Sequence, residues 1–157
     1  MAVSKLGWAA FGITIVGGFI VLSVVSPVDT TDAKLRLPYD DTARVAQGKA
    51  LYVENCASCH GANLEGEPNW KQRTSDGLMP APPHDQSGHT WHHPDAMLFA
   101  ITKQGSAAVV GQGYESNMPG FEDSLSDQDI LNVLGYIKST WPDRVIKMHN
   151  GMNDQQG

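Results

Sequence analysis

The chain has 157 residues, 41% of them hydrophobic and 18% charged, which fits one domain of roughly 100–150 residues with an appendage. Its formal net charge is −6, and the acidic excess argues against nucleic-acid binding, which rests on clustered Lys and Arg displacing counterions. Only two cysteines occur, Cys56 and Cys59; they are too close to staple distant loops by a disulfide and too few for a four-cysteine zinc site.

From Leu6 to Val25 no residue is charged. A helix of that length spans ~30 Å, enough to cross a bilayer. Lys5 precedes the run while Asp29 and Asp32 follow it, so residues 1–25 read as a transmembrane anchor with its N-terminus in the cytoplasm and the rest exported. A cleaved signal peptide is the rival reading. The apolar run is long for one, and Pro27 spoils a cut after Ser26, leaving weak small-residue sites near Ala33. Residues 26–39 show neither helical nor alternating patterning and are expected to form a linker with an r.m.s. reach near ~20 Å. Residues 40–157 are left as the exported domain.

Within that domain, Asp40 or Asp41 can cap a first helix running to about Asn55, with Val45, Gly48, Tyr52, Val53 and Cys56 on an inward face. A second helix is expected over 94–104, with Pro94 as its first residue, Asp95 in its first turn, a Met97/Leu98/Ile101 stripe and Gly105 as terminator. The third has Ser126 or Asp127 as cap, an apolar stripe of Ile130, Val133, Leu134, Ile137 and Trp141, and Pro142 as its stop. No strand pattern of comparable quality is present, so the fold class is all-α. The stretches between these helices are too long for ordinary connections, which calls for a large buried group to organise them.

Cys56-Ala57-Ser58-Cys59-His60 is the C-x-x-C-H pattern of covalent haem attachment. Thiols at this spacing bond both vinyl groups of one haem while the adjacent imidazole reaches the iron. A thioredoxin-like dithiol needs a βαβ setting, and half a zinc site needs another cysteine pair; neither is seen.

With Gly48 and Tyr52 before that motif, Met118-Pro119-Gly120-Phe121 after it, and Val133 and Tyr136 on the last helix, residues 40–142 resemble a class I cytochrome c. The resemblance implies the class I fold around one covalently bound haem c. It also implies close crossing of the first and last helices through Gly48, Tyr52, Val133 and Tyr136. Met118 becomes the sixth ligand opposite His60, a His/Met pair that raises the reduction potential and suits a carrier. Met79, also followed by proline, is the competitor. The loop Gly61–Trp70 resembles the one in which a proline carbonyl accepts the axial histidine's Nδ1–H, which makes Pro68 the candidate for that bond.

The segment 80–94 resembles a bacterial branch of membrane-anchored monohaem cytochromes. Its four histidines between residues 84 and 93, with Met79 nearby, could bind copper, line a polar haem-propionate pocket or sit on solvated surface. Trp91 is the expected propionate partner or a core residue, because a buried indole N–H needs an acceptor.

With both axial positions filled no place remains for a substrate, so the expected role is electron transfer rather than catalysis. The expected partners of such an anchored carrier are a quinol-oxidising cytochrome bc-type complex and a terminal oxidase or photosynthetic reaction centre, on the periplasmic side of a bacterial inner membrane. The alternative is an accessory haem subunit of a larger membrane oxidase or dehydrogenase. A catalytic or gas-sensing haem would require a displaceable sixth ligand.

Overall fold

The computed structural model describes residues 35–155, so the expected anchor and most of the expected linker lie outside the described residues. Within that range the secondary structure is helical throughout, without a strand: α1 (Thr42–Asn55), α2 (Ala57–His60), a 3₁₀ turn (Thr90–His92), α3 (Asp95–Gln104), α4 (Ser106–Val110), α5 (Asp127–Ser139) and α6 (Asp143–Gln155). No helix among the described residues is long and apolar enough to cross a membrane.

The three expected helices form with nearly the expected bounds because their ends carry their own signals. Asp41 Oδ1 accepts from the amides of Ala43 and Arg44 at 3.0 and 3.1 Å, satisfying donors that the first turn of α1 leaves free. At α5, Ser126 Oγ and the Asp129 side chain exchange bonds with each other's backbone N–H, a complete capping box. Gly105 closes α3 at φ 88°, a left-handed setting that suits glycine.

The core forms where α1 crosses α5. Tyr52, Ile130 and Val133 are within 1% of complete burial, with Leu134, Ile137 and Trp141 around them. The crossing is close enough to need glycine: a Cβ on Gly48 would stand 1.9 Å from the Asn132 carbonyl oxygen. Tyr52 and Tyr136 pack with ring centroids 5.5 Å apart. Val53 departs from the expected inward face and is 57% exposed. It follows Tyr52 by one residue, hence ~100° around the helix from the buried line through Gly48 and Tyr52.

Two further departures come from the ends of the domain. Leu37, expected in the linker, is 3% exposed, its amide donates to Asp95 Oδ2 at 3.2 Å, and Pro38 packs on Gly135, so residues 35–39 belong to the helical domain. Pro142 ends one helix and begins another: α5 closes at Thr140, and the Pro142 carbonyl then accepts from Val145 and Ile146 as α6 starts. The stripe Val145, His149, Asn153 buries α6 at i, i+4 spacing, but two of those three side chains are polar, so a hydrophobic pattern does not reveal it.

Those polar side chains meet a buried charge. Asp95, at the first turn of α3, is fully buried; its Oδ1 lies 3.7 Å from Lys138 Nζ and 3.5 Å from His149 Nε2. Asn153 Oδ1 accepts the Asp95 amide N–H at 2.8 Å, so α6 supplies the cap that Pro94 cannot give to α3. His149 Nε2 lies 2.9 Å from the His93 carbonyl, which can only accept, so this nitrogen carries the proton and Nδ1 faces the Asn153 amide. Burial, then the Lys138 charge, lowers the His149 pKa below its ordinary value, in keeping with a neutral ring.

Candidate functional site

Cys56 ends α1 and opens α2, a single turn that carries Cys59 and His60. No disulfide joins the two cysteines; Cys59 is exposed and Cys56 half-buried. Burial, with the nearby Cys59 adding to it, pushes the Cys56 thiol up to about 11. Tyr52 ties this turn to the core by donating its hydroxyl to the Gly61 carbonyl at 2.8 Å.

His60 is 6% exposed, and its Nδ1 lies 2.9 Å from the carbonyl of Pro82. A carbonyl only accepts, so Nδ1 carries the hydrogen and the lone pair is left on Nε2, the state an axial imidazole requires. Burial lowers the His60 pKa, with the bond to Pro82 opposing that shift, and the metal-binding neutral form is favoured.

The proline is therefore Pro82 and not Pro68, which is exposed. The kind of bond is the expected one, but the carbonyl that accepts it comes from a segment fourteen residues further on than Pro68. That segment reaches His60 because Gly66, at φ 69°, lets it lie close: a Cβ there would sit 2.5 Å from Pro83 N. The Glu67 amide donates to the Ala81 carbonyl at 2.9 Å, and Glu67 Oε2 accepts from the Ala81 amide at 2.6 Å. The pairing of residues 66–67 with 81–83 is a tertiary contact, which the local likeness of residues 61–70 to a family loop could not distinguish. A weak sequence signal existed in Pro80-Ala81-Pro82-Pro83, an extended run poor in N–H donors whose carbonyls are free to accept.

The four histidines between residues 84 and 93 do not gather at one point, although the rings of His89 and His93 meet edge to face at 5.4 Å. The His84 ring stacks on that of His60 at 3.9 Å and 23°, His89 stacks on Trp70, His92 stacks on Trp91, and His93 offers its carbonyl to His149. Among the described residues no three His, Cys, Asp or Glu side chains are placed to hold a metal, so the copper reading is not supported. Trp91 is half-buried, and its Nε1–H donates to the Gln86 carbonyl at 3.3 Å, so the donor assigned to a propionate has a partner within the protein. Trp141 Nε1–H donates to the His84 carbonyl at 2.8 Å. Burial, reinforced by the charges of His60 and His89, holds the His84 pKa well below its ordinary value.

On the chain's other conspicuous loop, Met118 is half-buried and its amide donates to Ser116 Oγ at 3.1 Å. The following residues are fastened to the end of α3: the Phe121 amide donates to the carbonyls of Thr102 and Lys103, and a Cβ on Gly105 would come within 2.8 Å of Gly120 N. A cleft lined by Asp76, Leu78, Ala107 and residues 114–117 borders this loop. Met79, half-buried, sits on the loop between Thr74 and Pro80. Two cysteines on one turn, an imidazole with its lone pair on Nε2 and an anchored methionine loop are a set of groups that fits haem c.

Comparison with known proteins agrees. The Cytochrome c family matches residues 45–141. The chain is similar to the Cbb3-type cytochrome c oxidase subunit FixP of Azorhizobium caulinodans, 29% identical over 60% of this chain and 28% of that one. It is also similar to the Cbb3-type cytochrome c oxidase subunit CcoP of Azospirillum sp., 32% identical over 62% of this chain and 29% of that one. A third relative is cytochrome c6 of Synechocystis sp., 31% identical over 60% of this chain and 64% of that one. The chain thus spans under a third of the oxidase subunits' length, and no solved structure matches. With a family match over most of the chain, on a helical fold that presents one C-x-x-C-H turn, the chain belongs to the cytochrome c family, electron-carrying proteins with covalently bound haem c.

Proposed function

We propose that this chain is a membrane-anchored monohaem carrier, its haem held by Cys56 and Cys59 and its iron by His60 and Met118. In this reading it passes single electrons from a quinol-oxidising cytochrome bc-type complex to a terminal oxidase or photosynthetic reaction centre at the periplasmic face of a bacterial inner membrane. The observation that carries the reading is the Pro82 carbonyl on His60 Nδ1, which leaves the Nε2 lone pair free to ligate a metal. Haem c supplies a one-electron couple between ferric and ferrous iron. The protein's part is to hold the ligands still: His60 by its carbonyl bond, and Met118 by a loop tied to α3.

The test of the ligand set is Met118→Ala beside Met79→Ala. Met118→Ala is expected to keep covalent haem while losing the methionine-to-iron charge-transfer band of the oxidised protein. If that band survives in Met118→Ala and vanishes in Met79→Ala, the assignment is wrong.

A second reading, a fixed subunit of a larger oxidase, is favoured by the names of the FixP and CcoP relatives. Purification of the native chain from membranes separates the two. Stoichiometric co-purification with an oxidase supports the subunit, and recovery as a single haem protein supports the carrier.

A further inference from the structure

The imidazole of His84 lies almost parallel to that of His60, with centroids 3.9 Å apart and an interplanar angle of 23°. The chain-borne supports of the residue are unusually complete. Its amide donates to the Leu64 carbonyl at 2.8 Å, its carbonyl accepts the Trp141 indole N–H at 2.8 Å, and its Nδ1 lies 2.8 Å from Oγ1 of buried Thr90. Tyr52 closes its edge at 6.3 Å in a T-shaped contact. Backbone and ring are thus fixed from three directions.

We infer that His84 is a positioning residue for His60, setting the plane of the axial imidazole and closing one of its faces to water. The inference rests on the haem reading above. Its physical basis is that one hydrogen bond does not fix a planar ring. The Cβ–Cγ bond and the hydrogen bond from Nδ1 to Pro82 hold one side of the ring, but a hydrogen bond tolerates tilt of the ring plane; a second ring against its face limits that tilt. Pro82 and His84 are two residues apart, so a single short segment supplies both the edge contact and the face contact. In a low-spin ferric haem the plane of the axial imidazole sets the asymmetry of unpaired spin around the macrocycle, which the spread of the haem methyl resonances reports.

The experiment compares full-length holoproteins after confirming covalently bound haem by absorbance of the denatured protein. His84→Leu fills the space without a planar face and is expected to change, or to double, the pattern of haem methyl resonances. It is also expected to lower the midpoint potential, because water reaching His60 favours the more charged ferric form. His84→Phe keeps a flat face and is expected to retain a pattern close to wild type. Thr90→Val leaves the ring but frees its Nδ1, and is expected to shift the pattern in the same direction by less. A wild-type pattern in His84→Leu overturns the inference, as does a shift in His84→Phe as large as in His84→Leu. If His84→Leu does not fold, an unshifted Thr90→Val overturns it. Wild-type protein without covalent haem overturns the haem reading itself, and this inference with it.

Discussion

Two of the contacts that hold the described residues together use opposite chemistry. Where α1 meets α5, the Gly48 backbone touches the Asn132 carbonyl and the space beside it is filled by Tyr52, Ile130 and Val133. Where α6 meets α3 and residues 35–39, the centre is a buried carboxylate, Asp95, ringed by Lys138, His149 and Asn153. The first contact is tolerant of chemistry and intolerant of volume: one methyl group has nowhere to go. The second is tolerant of small shape changes and intolerant of losing a partner, since each remaining polar group would be buried alone. Lys138 shows the balance at the second contact. Burial lowers its pKa, Asp95 opposes that shift at 3.7 Å, and the Tyr39 ring lies 4.7 Å below the ammonium.

The largest effect is expected from Asp95→Ala, which strands Lys138 and uncaps the Leu37 amide. Removing one partner of a buried pair costs about 3–5 kcal/mol. Denaturant unfolding should therefore show a midpoint far below wild type, and a loss under 1 kcal/mol would show that water already reaches the cluster. Lys138→Met together with Asp95→Leu should recover much of that loss, because the charges are then removed as a pair.

Gly48→Ala tests the other contact. The added Cβ would overlap the Asn132 carbonyl oxygen at 1.9 Å, so the helices must separate, at a cost on the order of 3 kcal/mol. This variant should also expose the Tyr52 ring, measurable by near-ultraviolet circular dichroism, while Asp95→Ala leaves that signal in place. Equal loss of the tyrosine signal in both would mean that the contacts are one cooperative unit.

The smallest effect is a pH slope. His149 has its folded pKa depressed below 6.5, so the unfolded chain binds more protons in the window just below 6.5. Its contribution to stability is therefore fully present above about 6.5 and is lost as pH falls toward the folded value, at no more than about 1.4 kcal/mol per unit. Unfolding midpoints at pH 7.5 and 5.5 should differ less in His149→Gln than in wild type. An identical pH dependence would assign the acid sensitivity to other histidines.

The helix bounds were legible because caps act locally: Asp41, Ser126 with Asp129, and Gly105 each mark their helix within a turn. The C-x-x-C-H turn was legible for the same reason, since the spacing of two thiols and an imidazole is itself the recognition signal. The helix α6 was not, because Val145, His149 and Asn153 become an inward stripe only against a buried carboxylate fifty-eight residues from Asn153.

By itself the sequence determined the haem-attachment turn and the three capped helices, which depend on residues within one turn; the place of Gly48 where α1 crosses α5 was implied by the family resemblance and is met in the structure. The tertiary structure alone decided which carbonyl holds His60, which ring lies on it, and that residues 35–39 pack with the helices. Pro68 and Pro82 offer the same acceptor chemistry, and only the close approach of Gly66 to Pro83 brings the latter within 2.9 Å of Nδ1. Hydrogen bonds and ring stacking select by distance, and distance between residues far apart in the chain is a property of the fold.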